Sequence, residues 1–161
     1  MIVVANAGPL IALAEIGRFD LLKSLYGQIR IPPAVRDEVV VSQEGRPGAK
    51  EVSTAGWVRV ESARDITAIQ ILRERLDRGE SEAIVLAIEL SADLLLIDEA
   101  RGRRIAEARG LNKIGTLGTL IMAKKRGLIS SITPLLDELL ARGFRLHKDL
   151  YQAVRALAGE G

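Results

Sequence analysis

The sequence predicts an α/β protein with a mostly parallel sheet, and three observations support this fold class. Short apolar runs alternate along the chain with longer segments in which apolar residues recur at helical spacing. Two of the short runs, residues 2–5 and 93–97, are almost wholly aliphatic, as expected of strands that are buried on both faces. Alternating strands and helices are typical of βαβ units, whose strands run parallel.

The first half of the chain contains three predicted strands: residues 2–5, 29–31 and 57–60. Asn6-Ala7-Gly8 is predicted to form a turn, after which Pro9 suits the first position of a helix that ends near Gly17. Two further helices are expected, over residues 19–25 and from Pro33 through Val40. Residues 42–56 are rich in polar side chains, Gly and Pro, and this composition predicts a surface loop.

The second half contains two more predicted strands: residues 93–97 and 112–115. Apolar periodicity predicts six helices there: residues 66–76, 81–90, 102–108, 116–125, 134–140 and 149–157. Gly79 is expected to separate the first two of these helices. The total of 161 residues fits a single domain that spans residues 1–161.

The composition excludes several classes of chemistry. The chain has no cysteine, which removes disulfides, thiolate nucleophiles and zinc–thiolate sites. His147 is the only histidine, so a Ser-His-Asp triad has no support. The apolar start at residues 1–5 is too short for a signal peptide or a membrane span, and we expect a cytoplasmic protein without membrane contact.

Oxygen-bearing side chains follow both aliphatic strands. Asn6 comes directly after residues 2–5, and Asp98 comes directly after residues 93–97. In an open parallel sheet, functional residues lie outside the carboxyl ends of the strands, so Asn6 and Asp98 are expected at one edge. The alternative is that each residue only forms a turn or caps a helix.

Two glutamates are expected to border buried helix faces. Glu38 is adjacent to Val39 in the helix that begins at Pro33, and Glu82 is adjacent to Ala83 in the helix over residues 81–90. Glu80 is interpreted as a residue of the helix cap, close enough to support the site. The alternative for Glu80 and Glu82 is that the helix dipole simply favours acids in a first turn.

The four candidate site residues share oxygen donors, and we predict that they bind metal and act in catalysis: Asn6, Glu38, Glu82 and Asp98. Clustered carboxylates without histidine or cysteine suit Mg²⁺ or Mn²⁺. Such ions serve phosphodiester hydrolysis, since they activate water and stabilise the leaving oxygen.

Arginines follow the last of these candidates. Arg101, Arg103 and Arg104 come shortly after Asp98, and arginine binds phosphate through a planar fork. We predict that these three arginines bind the nucleic acid, although a solvated helix face would show the same pattern. Gly115-Thr116-Leu117-Gly118 is a weak candidate for a phosphate loop or, alternatively, a tight strand-to-helix turn in which Gly118 permits close packing.

Five segments in this order resemble the PIN-domain superfamily: residues 2–11, 31–38, 79–83, 94–98 and 115–129. The resemblance covers residues 2 to about 145 and includes Asn6, Glu38, Glu82 and Asp98 at the positions of the family's acids. In this family an Asp usually ends the first strand, so Asn6 is a departure, and Glu82 replaces the commoner Asp. The last segment resembles that of a subgroup of small prokaryotic PIN-like proteins.

The resemblance implies a three-layer α/β/α sandwich with a parallel sheet of about five strands. It also implies Mg²⁺- or Mn²⁺-dependent cleavage of RNA, and many relatives are VapC-type toxins that a small antitoxin neutralises. The competing hypothesis is a nuclease-shaped protein that binds RNA or a partner without catalysis. A homodimer is expected, as in many relatives, because the C-terminal helices carry many apolar residues: Leu117, Leu120, Ile121, Leu135, Leu136 and Leu139.

Overall fold

A computed structural model of all 161 residues shows a five-stranded sheet in which every pairing of neighbouring strands is parallel. The strands are short: β1 (Val3–Ala5), β2 (Ile29–Ile31), β3 (Val58–Val60), β4 (Leu94–Leu96) and β5 (Lys113–Ile114). Their order across the sheet is β3-β2-β1-β4-β5. The prediction of a parallel sheet of about five strands is confirmed.

Ten α-helices connect and flank the strands: α1 (Ala7–Glu15), α2 (Leu21–Tyr26), α3 (Pro33–Arg36), α4 (Ala49–Thr54), α5 (Ile66–Leu72), α6 (Arg78–Glu89), α7 (Ala100–Ala108), α8 (Thr116–Lys125), α9 (Thr133–Ala141) and α10 (Lys148–Leu157). A π-helical segment, Asp37–Val41, continues α3. None of the helices has both the length and the apolar character that a membrane crossing requires.

The direction of the crossovers explains the layers of the fold. The chain moves from β1 outward to β2 and β3, then returns past β1 to β4 and continues to β5. Because parallel crossovers are right-handed, this reversal places the helices that connect β1 to β3 and those that connect β3 to β5 on opposite faces of the sheet. Helix α6 packs against β1 and β4 on one face, whereas α1 packs against α8. The fold is an α/β/α sandwich.

The core is aliphatic and lies on both faces of β1 and β4. A single cluster of 38 buried hydrophobic residues includes all three residues of β1 and most of the aliphatic run that contains β4. Four of the six apolar C-terminal residues on which the homodimer prediction rested are also buried in this core: Leu120, Leu135, Leu136 and Leu139. These four complete the core instead of offering a surface, so the homodimer stays a prediction with less support.

The prediction that residues 42–56 form a loop is wrong over its second half. Residues 49–54 form α4, which buries Ala49 and Val52. Gly48 precedes the helix with a φ of 105°, which favours glycine, and its N–H donates to the Glu51 carboxylate at 3.0 Å. Because this short helix buries only two side chains, its apolar residues are too few to show helical spacing among the polar residues on either side.

Helix α6 begins three residues earlier than the predicted start at Ser81. Its N-cap is Asp77, whose carboxylate accepts from the Glu80 N–H at 2.8 Å. Gly79 therefore lies inside the first turn of the helix. The helix over residues 66–76 ends at Leu72, and α1 begins at Ala7, where a turn was predicted.

The C-terminal helices are joined through one carboxylate, that of Glu160. Its Oε1 accepts from the Ser131 hydroxyl at 2.8 Å and from the Thr133 N–H and hydroxyl at 3.0 and 2.7 Å. Its Oε2 accepts from the Ile132 N–H and the Lys124 ammonium, both at 2.7 Å. These bonds, first among them that from Ile132, hold the pKa of Glu160 well below its ordinary value. The residue therefore ties α8, α9 and the end of α10 together.

Replacing Glu160 with Gln is expected to lower the melting temperature by several degrees at pH 7. A carboxyl whose pKa is depressed on folding contributes stability above its unfolded pKa, and this contribution is lost as the pH falls. The deficit of Glu160→Gln should therefore shrink as the pH is lowered below about 4.5. Thermal unfolding across pH measures it, with Glu138→Gln, an exposed glutamate of α9, as the control. An equal deficit in both variants at pH 7 would contradict this role.

Candidate functional site at the carboxyl edge of the sheet

The site is centred where β1 and β4 end side by side. Ala5 pairs with Leu96, and the Asn6 N–H donates to the Leu96 carbonyl at 2.8 Å, so Asn6 and Asp98 follow neighbouring strand ends. Strands are added outward on one side of β1 up to β3 and on the other side from β4 onward, and the position between β1 and β4 where this order reverses is where open parallel sheets bind ligands. The structure thus places these two side chains at one edge, as the strand pattern predicts.

The Asn6 side chain holds an unsatisfied oxygen. Asn6 is only 6% exposed, and its Oδ1 is buried without a hydrogen-bond partner. A β-carbon built on Gly79 would lie 3.4 Å from this oxygen and 3.1 Å from Glu38 Oε1, so both oxygens face the same point on α6. A side chain at this position in the first turn of α6 would crowd both oxygens, and that of Glu38 most. A buried carbonyl oxygen without a donor is costly, and a cation or a donor from a ligand would satisfy it.

Glu38 reaches this point from the π-helical segment. The segment Asp37–Val41 winds more widely than an α-helix, a geometry that is frequent at functional sites. Glu38 is partly buried, and its pKa is raised, first by burial and second by the nearby charge of Asp77. The carboxylate therefore lies in an environment that lacks compensating positive charge.

Asp98 is held firmly on the β5 side of the site. Its Oδ1 accepts from the Thr116 N–H and its Oδ2 from the Thr116 hydroxyl, both at 2.7 Å. Burial raises the pKa of Asp98, while the two Thr116 bonds and the charge of Arg103 act in the opposite direction. A β-carbon on Gly8 would lie 3.4 Å from Oδ2, so the carboxylate also faces the first turn of α1.

Glu82 has a different set of contacts from the other candidates. Its Oε1 accepts from the Ala34 N–H at 3.2 Å, at the start of α3, and its Oε2 accepts from Arg78 Nε at 2.9 Å. The first bond joins α3 to α6, and the second lies within α6. Both carboxylate oxygens of Glu82 thus accept hydrogen bonds, whereas the oxygens nearest to a β-carbon on Gly79 are those of Glu38 and Asn6.

Glu80 is the acid that α6 buries. It is 7% exposed, and its Oε2 lies 2.9 Å from where a β-carbon of Gly102 would be. Burial raises the pKa of Glu80 to about 7, and the neighbouring carboxylates of Asp77 and Glu99 add to the shift. Glu80 lies on the same helix face as the buried residues Ala83 and Ala87. Its helical spacing from these two residues was the signal in the sequence that could have indicated its burial.

The three candidate arginines separate into two groups. Arg103 is partly buried, and its Nη1 donates to the Ile97 carbonyl at 2.9 Å and adjoins Asp98 across Gly115. Arg101 and Arg104 are exposed, and Arg101 donates to the Arg75 carbonyl at 3.1 Å. Arg103 is therefore part of the support of Asp98, whereas Arg101 and Arg104 are exposed to solvent.

The donor chemistry fits a hard divalent cation, although the acids are spread out. No three Asp, Glu or His side chains converge closely enough to hold a metal ion by themselves. The unpartnered Asn6 Oδ1 beside Glu38 Oε1 supplies two oxygens at one point, and Asp98 lies at the neighbouring strand end. Oxygen donors without histidine or cysteine are those that Mg²⁺ and Mn²⁺ bind.

The fold and the site together define an α/β/α protein with buried acidic side chains where the strand order of a parallel sheet reverses. The sequence matches the PIN domain family over residues 2–160. The chain belongs to the PIN-domain family, which is a family of nuclease folds whose members generally bind nucleic acids and use divalent metal ions. Comparison with curated proteins gave no match.

Replacing Glu80 with Gln is expected to stabilise the metal-free protein above pH 7. A carboxyl whose pKa is raised on folding costs stability once it ionises, so stability is lost as the pH rises from 4.5 through about 7. In EDTA at pH 8, Glu80→Gln should melt roughly 2–4 °C above the parent, the shift for about 1 kcal/mol in a chain of this size. At pH 4 the two proteins should melt alike. The exposed Glu74→Gln is the control, and an equal gain there at pH 8 would show a general charge effect.

Proposed function

We propose that this protein is a metal-dependent ribonuclease of the PIN type that cleaves RNA phosphodiester bonds by hydrolysis. The observation that carries the proposal is the buried Asn6 Oδ1, which has no hydrogen-bond partner and faces the same point as Glu38 Oε1. A cation bound between these oxygens would satisfy Asn6 Oδ1, at a position where parallel sheets bind ligands. The PIN-domain family supplies the reaction class.

The proposed ligands come from strand ends and from the first helical turns beside them. Asn6, Glu38 and Asp98 would hold the metal, with Glu80 as a further acid near them. Glu82 joins α6 to α3 through the Ala34 N–H and accepts a second bond from Arg78 within α6. Bound Mg²⁺ or Mn²⁺ would activate water and stabilise the leaving oxygen.

The proposed biological role is that of the toxin of a toxin–antitoxin pair in the cytoplasm. The substrate is RNA, which the exposed Arg101 and Arg104 contact through phosphates. A small antitoxin protein is the proposed neutralising partner. The support for this role is the resemblance of the chain to VapC-type relatives.

A second candidate function is an RNA- or partner-binding protein with weakened or lost catalysis. Two observations favour it: the first strand ends in an uncharged amide, and both oxygens of Asp98 already accept hydrogen bonds from Thr116. Metal titration separates the two candidates, because the second one needs no bound ion. Incubation of the purified protein with a mixed RNA pool and Mn²⁺ then tests cleavage directly.

Changing Asn6 to Asp is expected to tighten Mn²⁺ binding at least about tenfold, a net gain of ~1.4 kcal/mol, and to speed RNA cleavage. The physical reason is one added negative charge: at ~4 Å and an effective dielectric near 20, each unit charge contributes about 4 kcal/mol before desolvation offsets most of it. Without metal, Asn6→Asp should be slightly less stable, because a further carboxylate adds repulsion. Calorimetric titration and a cleavage time course measure the two effects.

Two further variants make this test specific. Asp98→Asn in the Asn6→Asp background should reverse the gain in affinity. Asn112→Asp adds the same charge before β5, at the opposite edge of the sheet, and should leave Mn²⁺ binding unchanged. If Asn6→Asp folds normally yet binds Mn²⁺ and cleaves RNA no better than the parent, Asn6 is only a turn residue.

Replacing Arg101 and Arg104 together with Ala is expected to weaken RNA binding and flatten its salt dependence. For every phosphate that an arginine no longer neutralises, the slope of log affinity against log salt should fall by about 0.7 for a single strand. Arg142 and Arg145 are also exposed, and their double Ala variant is the matched control. Filter binding or fluorescence anisotropy across a salt series measures both. If the salt dependence of the Arg101/Arg104 variant has the same slope as that of the parent, these arginines form a solvated helix face that does not contact RNA.

A further inference from the structure

The segment Gly115-Thr116 lies outside the proposed ligand set, yet it makes the shortest side-chain contacts in the site. Thr116 is fully buried, at the first position of the ten-residue helix α8. Its N–H and hydroxyl each bond a different oxygen of Asp98 at 2.7 Å. We propose that Thr116 is the positioning residue that fixes the Asp98 carboxylate for metal binding, an inference that rests on the proposed function.

The two Thr116 bonds set the orientation of the whole carboxylate plane. A single bond would leave Asp98 free to rotate about its terminal torsion, which has a broad minimum. Two donors on one residue, each held by the start of α8, fix both oxygens at once. Each carboxylate oxygen has two lone-pair directions, so one direction on each oxygen stays available to a cation.

The Thr116 hydroxyl is the contact that directs one Asp98 oxygen toward the end of β1. The Asp98 oxygen that accepts from the Thr116 hydroxyl, Oδ2, is also the oxygen that faces Gly8 in the first turn of α1. Gly8 is two residues after Asn6. The hydroxyl therefore holds Oδ2 on the side of the site where β1 ends and where the unpartnered Asn6 oxygen lies.

Gly115 and Arg103 complete this support. A β-carbon on Gly115 would lie 2.6 Å from Asp98 Oδ1 and 3.2 Å from Arg103 Nη1, so only glycine leaves room for the carboxylate. Arg103 Nη1 is fixed in turn by the Ile97 carbonyl at 2.9 Å. The strand-to-helix turn after β5 is thus shaped around the carboxylate, and Gly118 has a separate packing role against Ile114.

The test compares Thr116→Val, which keeps the shape but lacks the hydroxyl, with Thr116→Ser, which keeps the hydroxyl. Both are titrated with Mn²⁺ by calorimetry, in the parent and in the Asn6→Asp background, and melting is measured in EDTA. Thr116→Val should bind Mn²⁺ about tenfold more weakly, and Thr116→Ser should bind as its background does. Thr119→Val, which removes a buried hydroxyl bonded to the Gly115 carbonyl one turn further along α8, is the matched control and should bind normally.

The outcomes are distinguishable. Weaker Mn²⁺ binding in Thr116→Val together with normal binding in Thr116→Ser supports positioning. Poorer packing alone would lower the melting temperature, and its effect would not depend on whether the hydroxyl is present. Background-level or tighter Mn²⁺ binding by Thr116→Val overturns the inference and leaves the proposed function intact. Absence of Mn²⁺ binding in both the parent and Asn6→Asp overturns the proposed function and the inference together. If Thr116→Val does not fold, Thr116→Ala in the same titration replaces it, with Thr116→Ser still as the rescue.

Discussion

The parallel pairing of β1 with β4 is the constraint on which the rest of the structure depends. It joins the two halves of the chain, because β1 is the first strand and β4 is the fourth, and it forms the centre of the aliphatic core. The same pairing brings the residues that follow each strand to one edge. Stability and site geometry therefore come from one set of hydrogen bonds, and a shift of the β1–β4 register would disturb both.

The electrostatics of the carboxyl edge of the sheet follow from the burial of the acidic side chains there. Three carboxyl groups near this edge have raised pKa values: those of Glu38, Glu80 and Asp98. Burial is the largest cause of the shift for each of them. Positive charge reaches the edge mainly through Arg103, beside Asp98. Burial of acids without matching cations costs free energy of folding, and a fold retains such an arrangement where a ligand can offset the cost.

The sequence was sufficient to predict the parallel sheet, the position of Asn6 and Asp98 at its edge, and the approach of Glu38 from the following helix. These features depend on local patterns: aliphatic runs, the residues that end them, and helical spacing. It was not sufficient to predict that α6 buries Glu80, because the burial depends on where α6 begins, and helix starts are set by caps such as Asp77. The π-helical segment and the two bonds of Thr116 depend on tertiary contacts that no local pattern encodes.

The π-helical segment also fixes the length of the chain that precedes α4. A regular α-helix turns about 100° per residue, so deleting one residue after Glu38, within the last part of the segment, would restore regular winding and rotate the chain that leads to α4 by that angle relative to Glu38. Glu38 could then face Gly79 only if α4, with its buried Ala49 and Val52, left its place against the core. The extra residue of the π-helical turn is thus the feature that lets one helix serve the sheet edge and the core together.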